Sequence, residues 1–136
     1  MRLAIVASSF NAEITDRMVE RALAKAKELG AEVVEVVRVP GAFEIPPALH
    51  RLLRRKDIDA GVAIGAVIKG QTKHDELIAH AVARALLDLE IGTGKPVGLG
   101  ISGPGMSHAL AVRRIGNAAR AVEAAVAMAR LLRGLG

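Results

Sequence analysis

The run GQTKHDE at Gly70–Glu76 holds a hydroxyl, an amide and an imidazole within a few positions. A glycine turn that opens a helix presents unpaired N–H groups and the positive end of a dipole, so it can receive an anion. His74, in the first turn of such a helix, stands beside any anion bound there and can pass protons. The bland alternative is local. Thr72 followed three residues later by Asp75 is a capping pattern that needs no ligand, and a first-turn His is often a solvated surface residue. Two further positions matter for chemistry. The chain has only two aromatic side chains, Phe10 and Phe43, with no Trp or Tyr. Each is either a stacking surface for a flat heteroaromatic ring or a plug for the top of the core. Glu44, next to Phe43, either accepts hydrogen bonds from ligand hydroxyls or serves as an acid favoured by a helix N-terminus.

These residues need elements to position them. Leu3–Ala7 reads as a buried strand, followed by a Ser8–Asn11 loop. Thr15 and Asp16 are placed to cap a helix that buries Met18, Ala22, Leu23, Ala26 and Leu29 and ends at Gly30. Glu32–Val39 is a second strand, and Pro40–Glu44 a loop. Pro46 and Pro47 suit the first positions of a helix that runs to about Lys56. Val62–Ile68 is a third strand, apolar on both faces. From Lys73 apolar residues recur at helical spacing to Leu89, with an end near Gly92–Gly94. Pro96–Ser102 is a fourth strand, and Gly103–Met106 (GPGM) a glycine-rich turn. A short helix to about Ile115 precedes an Ala-rich helix over residues 118–133. Alternation of this kind predicts a single-domain three-layer α/β/α fold on a four-stranded parallel sheet, flavodoxin-like in strand order. In such sheets ligands bind beyond the carboxyl ends of the strands. Phe10, Phe43, Glu44 and His74 all fall in the loops or turns that leave those ends.

Composition narrows the function. At 136 residues the chain makes one domain. Hydrophobic residues make up 51% and the mean hydropathy is +0.34, yet no apolar run reaches the length of a membrane span. The excess is read as buried contact between subunits. No targeting segment is recognisable, so a cytoplasmic protein is expected. Without Cys, thiol catalysis and thiolate metal sites are excluded, and the four His show no metal-ligand spacing. A net charge of +5 favours phosphorylated small molecules or nucleic acid. The basic residues are spread over every helix and stacking aromatics are almost absent, so nucleic acid is not expected. There is no Walker A loop and no G-x-G-x-x-G after the first strand, which disfavours an ATPase or a dinucleotide enzyme.

Taken together, SFN at Ser9–Asn11, PGAFEIP at Pro40–Pro46 and GAVIKGQTKHDE at Gly65–Glu76 resemble the 6,7-dimethyl-8-ribityllumazine synthase family. ISGPGM at Ile101–Met106 and RAVEAAV in the last helix are similar to its archaeal branch, and the resemblance covers essentially the whole chain. It implies an enzyme of riboflavin biosynthesis without cofactor or metal. That enzyme joins 5-amino-6-(D-ribitylamino)uracil to 3,4-dihydroxy-2-butanone 4-phosphate, with loss of phosphate and water. It implies Phe10 against the pyrimidine ring. Ala42, Phe43 and Glu44 line the ring and ribityl pocket, and Ala66, Val67 and Ile68 give backbone contacts. Gln71 and Thr72 hold the phosphate, and His74 transfers protons. Leu99 and Arg114 are implied to come from a neighbouring subunit, with Arg114 on the phosphate.

Two departures from the family pattern stand out. Leu99 occupies a place where many members have an aromatic. The segment before the last helix is short, with Ala118 after Gly116–Asn117 where many bacterial members carry Lys. The implied assembly is a homopentamer, or a sixty-subunit shell of pentamers, with sites shared between subunits. Two other functions compete: an archaeal-type riboflavin synthase, and a non-catalytic flavin-binding or shell protein on the same fold. The intact PGAFEIP and TKHDE motifs count against the former.

Overall fold

The computed structural model describes all residues, 1–136. Four strands, β1 (Arg2–Ser8), β2 (Glu32–Val39), β3 (Ala60–Ile68) and β4 (Val97–Met106), alternate with five helices. The helices are α1 (Ala12–Glu28), α2 (Ile45–Leu53), α3 (His74–Thr93), α4 (His108–Arg113) and α5 (Asn117–Gly134), and a 3-10 turn at Ala42–Glu44 precedes α2. All strand pairs are parallel and the order is β2-β1-β3-β4. That is the flavodoxin-like order expected from the sequence, without a fifth strand.

Period-two alternation sorts the two inner strands between two cores. Leu3 and Ile5 of β1, with Val62 and Ile64 of β3, face α1 and α5, where Ile14, Met18, Val122 and Val126 cover them. Ala4, Val6 and Ala63 face the other way, under Leu49 and Leu53 of α2 and Val82 and Leu86 of α3. The strand that reads as apolar on both sides is therefore buried on both sides. Close approach explains one glycine of β4. A Cβ on Gly98 would collide with the backbone carbonyl of Ala121, so glycine lets α5 lie directly on the sheet.

Several local expectations change. Thr15 does not cap α1; it is fully buried inside the helix, and Asp16 pairs with Arg38 at the surface. The cap position is Asn11, in the left-handed conformation (φ 59°) that a short polar side chain tolerates. Helix α2 stops at Leu53, three residues before Lys56, because Arg55 leaves helical spacing to bond Asp57 and Glu35. The hydrogen bond from Arg55 holds the Asp57 carboxyl below its ordinary range. Helix α3 begins at His74 and not at Lys73. The GPGM segment is not a free turn but the distal end of β4, where Met106 pairs with Ile68 across a register shift. Helix α5 begins at Asn117, one residue before the expected start at Ala118.

Candidate active site

The strand order reverses direction between β1 and β3, and the crevice beyond their carboxyl ends is where such sheets take ligands. A cavity of about 700 Å³ lies there. Hydrogen bonds explain how distant segments meet around it. The backbone N–H of Phe10 donates to the carbonyl of Pro40 at 2.9 Å, which brings the loop after β1 alongside the loop after β2. Asn11 Nδ2 donates to the carbonyl of Ala66 at 3.1 Å and ties the same loop to β3. Phe10, Ala42, Phe43, Glu44, Ala66, Val67, Ile68, Thr72 and His74 all line this one cavity.

Exposure counts against one of the two readings of the aromatic pair. Phe10 is 71% and Phe43 61% exposed, so neither plugs the core. In a chain whose other large side chains are mostly packed, two bare rings thus border the cavity, an arrangement suited to a flat ligand. Glu44 turns back on its own loop: its Oε1 accepts a hydrogen bond from the Gly41 N–H at 2.9 Å. The remaining lone pairs of the carboxylate are open to ligand hydroxyls. Glu44 therefore serves the start of the 3-10 turn and keeps acceptor capacity facing the cavity.

On the other wall, α3 starts with no side-chain cap at Lys73. Thr72 Oγ1 makes only a long contact, 3.4 Å, with the His74 N–H. The first-turn donors therefore keep capacity for an anion, and the exposed His74 ring stands among them. Asp75 is not the partner in a Thr72 capping box. It is buried, and its Oδ2 accepts a hydrogen bond from the Gly105 N–H at 2.9 Å. No three of the His, Asp and Glu side chains converge closely enough to hold a metal ion. No helix is long and apolar enough to cross a membrane.

Three residues named from the sequence do not line the cavity. Gln71 is exposed in the turn beside it. Leu99 lies on the edge strand β4, in a separate depression with Ala79, Ala83 and Pro104. Arg114 is exposed at the end of α4, as is Arg113. Conversely, Ser8, Asp75, Leu77 and Ile78 line the cavity without having been singled out as site residues. Leu77 and Ile78 follow from the position of His74, since one helical turn past it must border the same space. Nothing in the local sequence marks Ser8 or the distant partner of Asp75.

Fold and site together define an α/β protein with a flavodoxin-like sheet, whose cavity beyond the strand ends joins two exposed aromatic rings to the uncapped start of a helix. A family model described as 6,7-dimethyl-8-ribityllumazine synthase matches residues 1–133. Curated relatives agree. The 6,7-dimethyl-8-ribityllumazine synthase of Methanopyrus kandleri is 56% identical over 99% of this chain and 96% of its own. That of Metallosphaera sedula is 54% identical over 99% and 90%, and that of Archaeoglobus fulgidus 49% identical over 98% and 93%. The chain belongs to the 6,7-dimethyl-8-ribityllumazine synthase family.

Proposed function

We propose that this protein is the transferase that forms 6,7-dimethyl-8-ribityllumazine in riboflavin biosynthesis, from 5-amino-6-(D-ribitylamino)uracil and 3,4-dihydroxy-2-butanone 4-phosphate. The observation that carries it is the single cavity that joins Phe10, Phe43 and Glu44 to Thr72, His74 and the start of α3. Each part of the cavity suits one part of the two substrates. The pyrimidine lies against the exposed rings, with its ribityl hydroxyls on Glu44 and its edge along the backbone of Ala66–Ile68. The phosphate sits at the Gly70–Thr72 turn, held by the donors of α3, Thr72 and Gln71.

The chemistry asks for little more. The amine of the uracil attacks the ketone, and water leaves as an imine forms. Elimination then expels phosphate from the four-carbon unit, and ring closure on the second amine releases another water. His74, beside the leaving phosphate, moves protons in these steps. Holding an intrinsically reactive amine and ketone in contact supplies much of the acceleration. No cofactor is assigned a role.

Arg114 and Leu99 complete the site from a neighbouring copy in a ring of five, alone or within a sixty-subunit shell. Their distance from the cavity of their own chain supports this, as do the bare apolar side chains of Leu77, Leu87 and Ile91 on α3. A cytoplasmic location goes with the same reading and is checked by cell fractionation. The direct test of function is to mix the purified protein with both substrates and follow lumazine fluorescence and phosphate release. Product in stoichiometric amount with phosphate is expected; substrates consumed without lumazine, or left intact, would sink the proposal.

A further inference from the structure

The turn that carries the proposed phosphate site is anchored at both ends to one short segment of β4. At its start, the Lys69 N–H donates to the carbonyl of Met106 at 2.7 Å. At its end, Asp75 Oδ2 accepts from the Gly105 N–H at 2.9 Å. Gly105 is available for this because β4 bulges. Pairing with β3 jumps from Ala66–Ser102 to Ile68–Met106, so three residues of β4 stand opposite one of β3. Gly105, at a positive φ of 74° that favours glycine, gives its N–H to α3 instead of to the sheet. The acceptor is 6% exposed, a buried carboxylate next in sequence to His74.

We propose that Asp75 is a positioning residue for the phosphorylated substrate. Its carboxylate clamps the first turn of α3 to the β4 bulge and so sets the direction of the N–H groups at Gly70–Thr72 and the placement of the His74 ring. The clamp acts through acceptor geometry. The Asp75 charge faces the same helix start as the phosphate and does not itself bind it. With the Asp75 end released, the turn keeps only its Lys69 anchor, and its donors no longer converge on one point. The aminouracil end of the cavity is built from β1, β2 and β3 and has no part in the clamp. The assignment rests on the phosphate role given above to the Gly70–Thr72 turn.

Three substitutions separate positioning from mere stability. Asp75→Ala removes the acceptor. Asp75→Asn keeps an acceptor at the same reach without the charge. Asp75→Glu keeps the charge but moves the acceptor outward by one methylene. The KM for the phosphorylated ketone is expected to rise about tenfold in Asp75→Ala and severalfold in Asp75→Glu, with the KM for the aminouracil within about twofold of the parent. Asp75→Asn should stay near the parent for both substrates. Calorimetric titration with inorganic phosphate should follow the same order, and hydrogen exchange of residues 69–76 should quicken in Asp75→Ala alone or with Asp75→Glu. If Asp75→Ala does not fold, the contrast between Asp75→Glu and Asp75→Asn decides. Parent-like behaviour in Asp75→Ala overturns the clamp, as does equal loss for both substrates. So does an Asp75→Asn that matches Asp75→Ala, since charge and not geometry would then be at work. A parent protein that forms no lumazine would sink the function proposed above, and phosphate affinity with hydrogen exchange would then judge the clamp alone.

Discussion

His74 brings the one imidazole to the cavity, and it is exposed at the start of an uncapped helix. Its loss should slow turnover without emptying the site. For His74→Ala a fall in kcat of roughly ten- to a thousandfold is expected, around or below the usual range for acid–base residues, while a substrate analogue binds as before. Steady-state kinetics beside a binding titration check both halves; unchanged turnover removes the proton-transfer role. The place of His74, Phe10 and Phe43 was legible in the sequence because each lies in, or just past, the loop that leaves the carboxyl end of a strand. The orientation of the rings was not. A Phe after a strand is compatible with plugging the core, and the ties from Phe10 to Pro40 and from Asn11 to Ala66, which fix the loop that carries Phe10, are not visible in the sequence. Asp75 was illegible for a related reason: its partner lies 30 residues away, beyond any local capping pattern.

At the scale of elements, the β4–α5 contact is the tightest constraint. The Ala121 carbonyl occupies the space that a side chain at position 98 needs, and both partners are backbone. Gly98→Ala must therefore push α5 away from the sheet and disturb Ala121, Val122 and Ala125 beneath it. A loss of about 1–3 kcal/mol is expected, typical of overpacking, and a shift of the urea midpoint at constant slope measures it. A variant as stable as the parent would mean that α5 slides without cost. The alternation of strand and helix was readable from periodicity, since each core strand shows its apolar run and each helix its buried stripe. The ends were harder. GPGM contains the residues of a turn, yet pairing with Ile68 draws it into β4. Thr15 has the side chain of a cap, yet the left-handed Asn11 starts α1 four residues earlier.

For the whole molecule, the question is which chain completes each cavity. Arg114 does not line the cavity of its own chain. If it serves a neighbour in a closed ring, contacts are heterologous and every site draws on two copies. Take His74→Ala and Arg114→Ala, each expected alone to be clearly slower than the parent, and co-assemble them from the unfolded mixture. Some interfaces then pair an intact His74 with an intact Arg114, and part of the activity should return. Mixed rings, verified by mass spectrometry, that remain as slow as either variant alone would place both residues in one subunit's site.

The order in which the layers are made has its own consequence. Helix α5, which follows α4 in chain order, covers the β3 and β4 side of the face that carries Val62 and Ile64, while α1 covers the β1 side. During synthesis β3 and β4 leave the ribosome before it, so their side of that face lacks its cover while the nascent chain grows. A translating ribosome stalled at Ile115 should hold a chain that proteases cut readily, and one stalled well past Gly134 a resistant one. Until α5 emerges, the β3–β4 side of the sheet is an apolar surface open to aggregation, and the unfinished chain is expected to be most vulnerable at that stage.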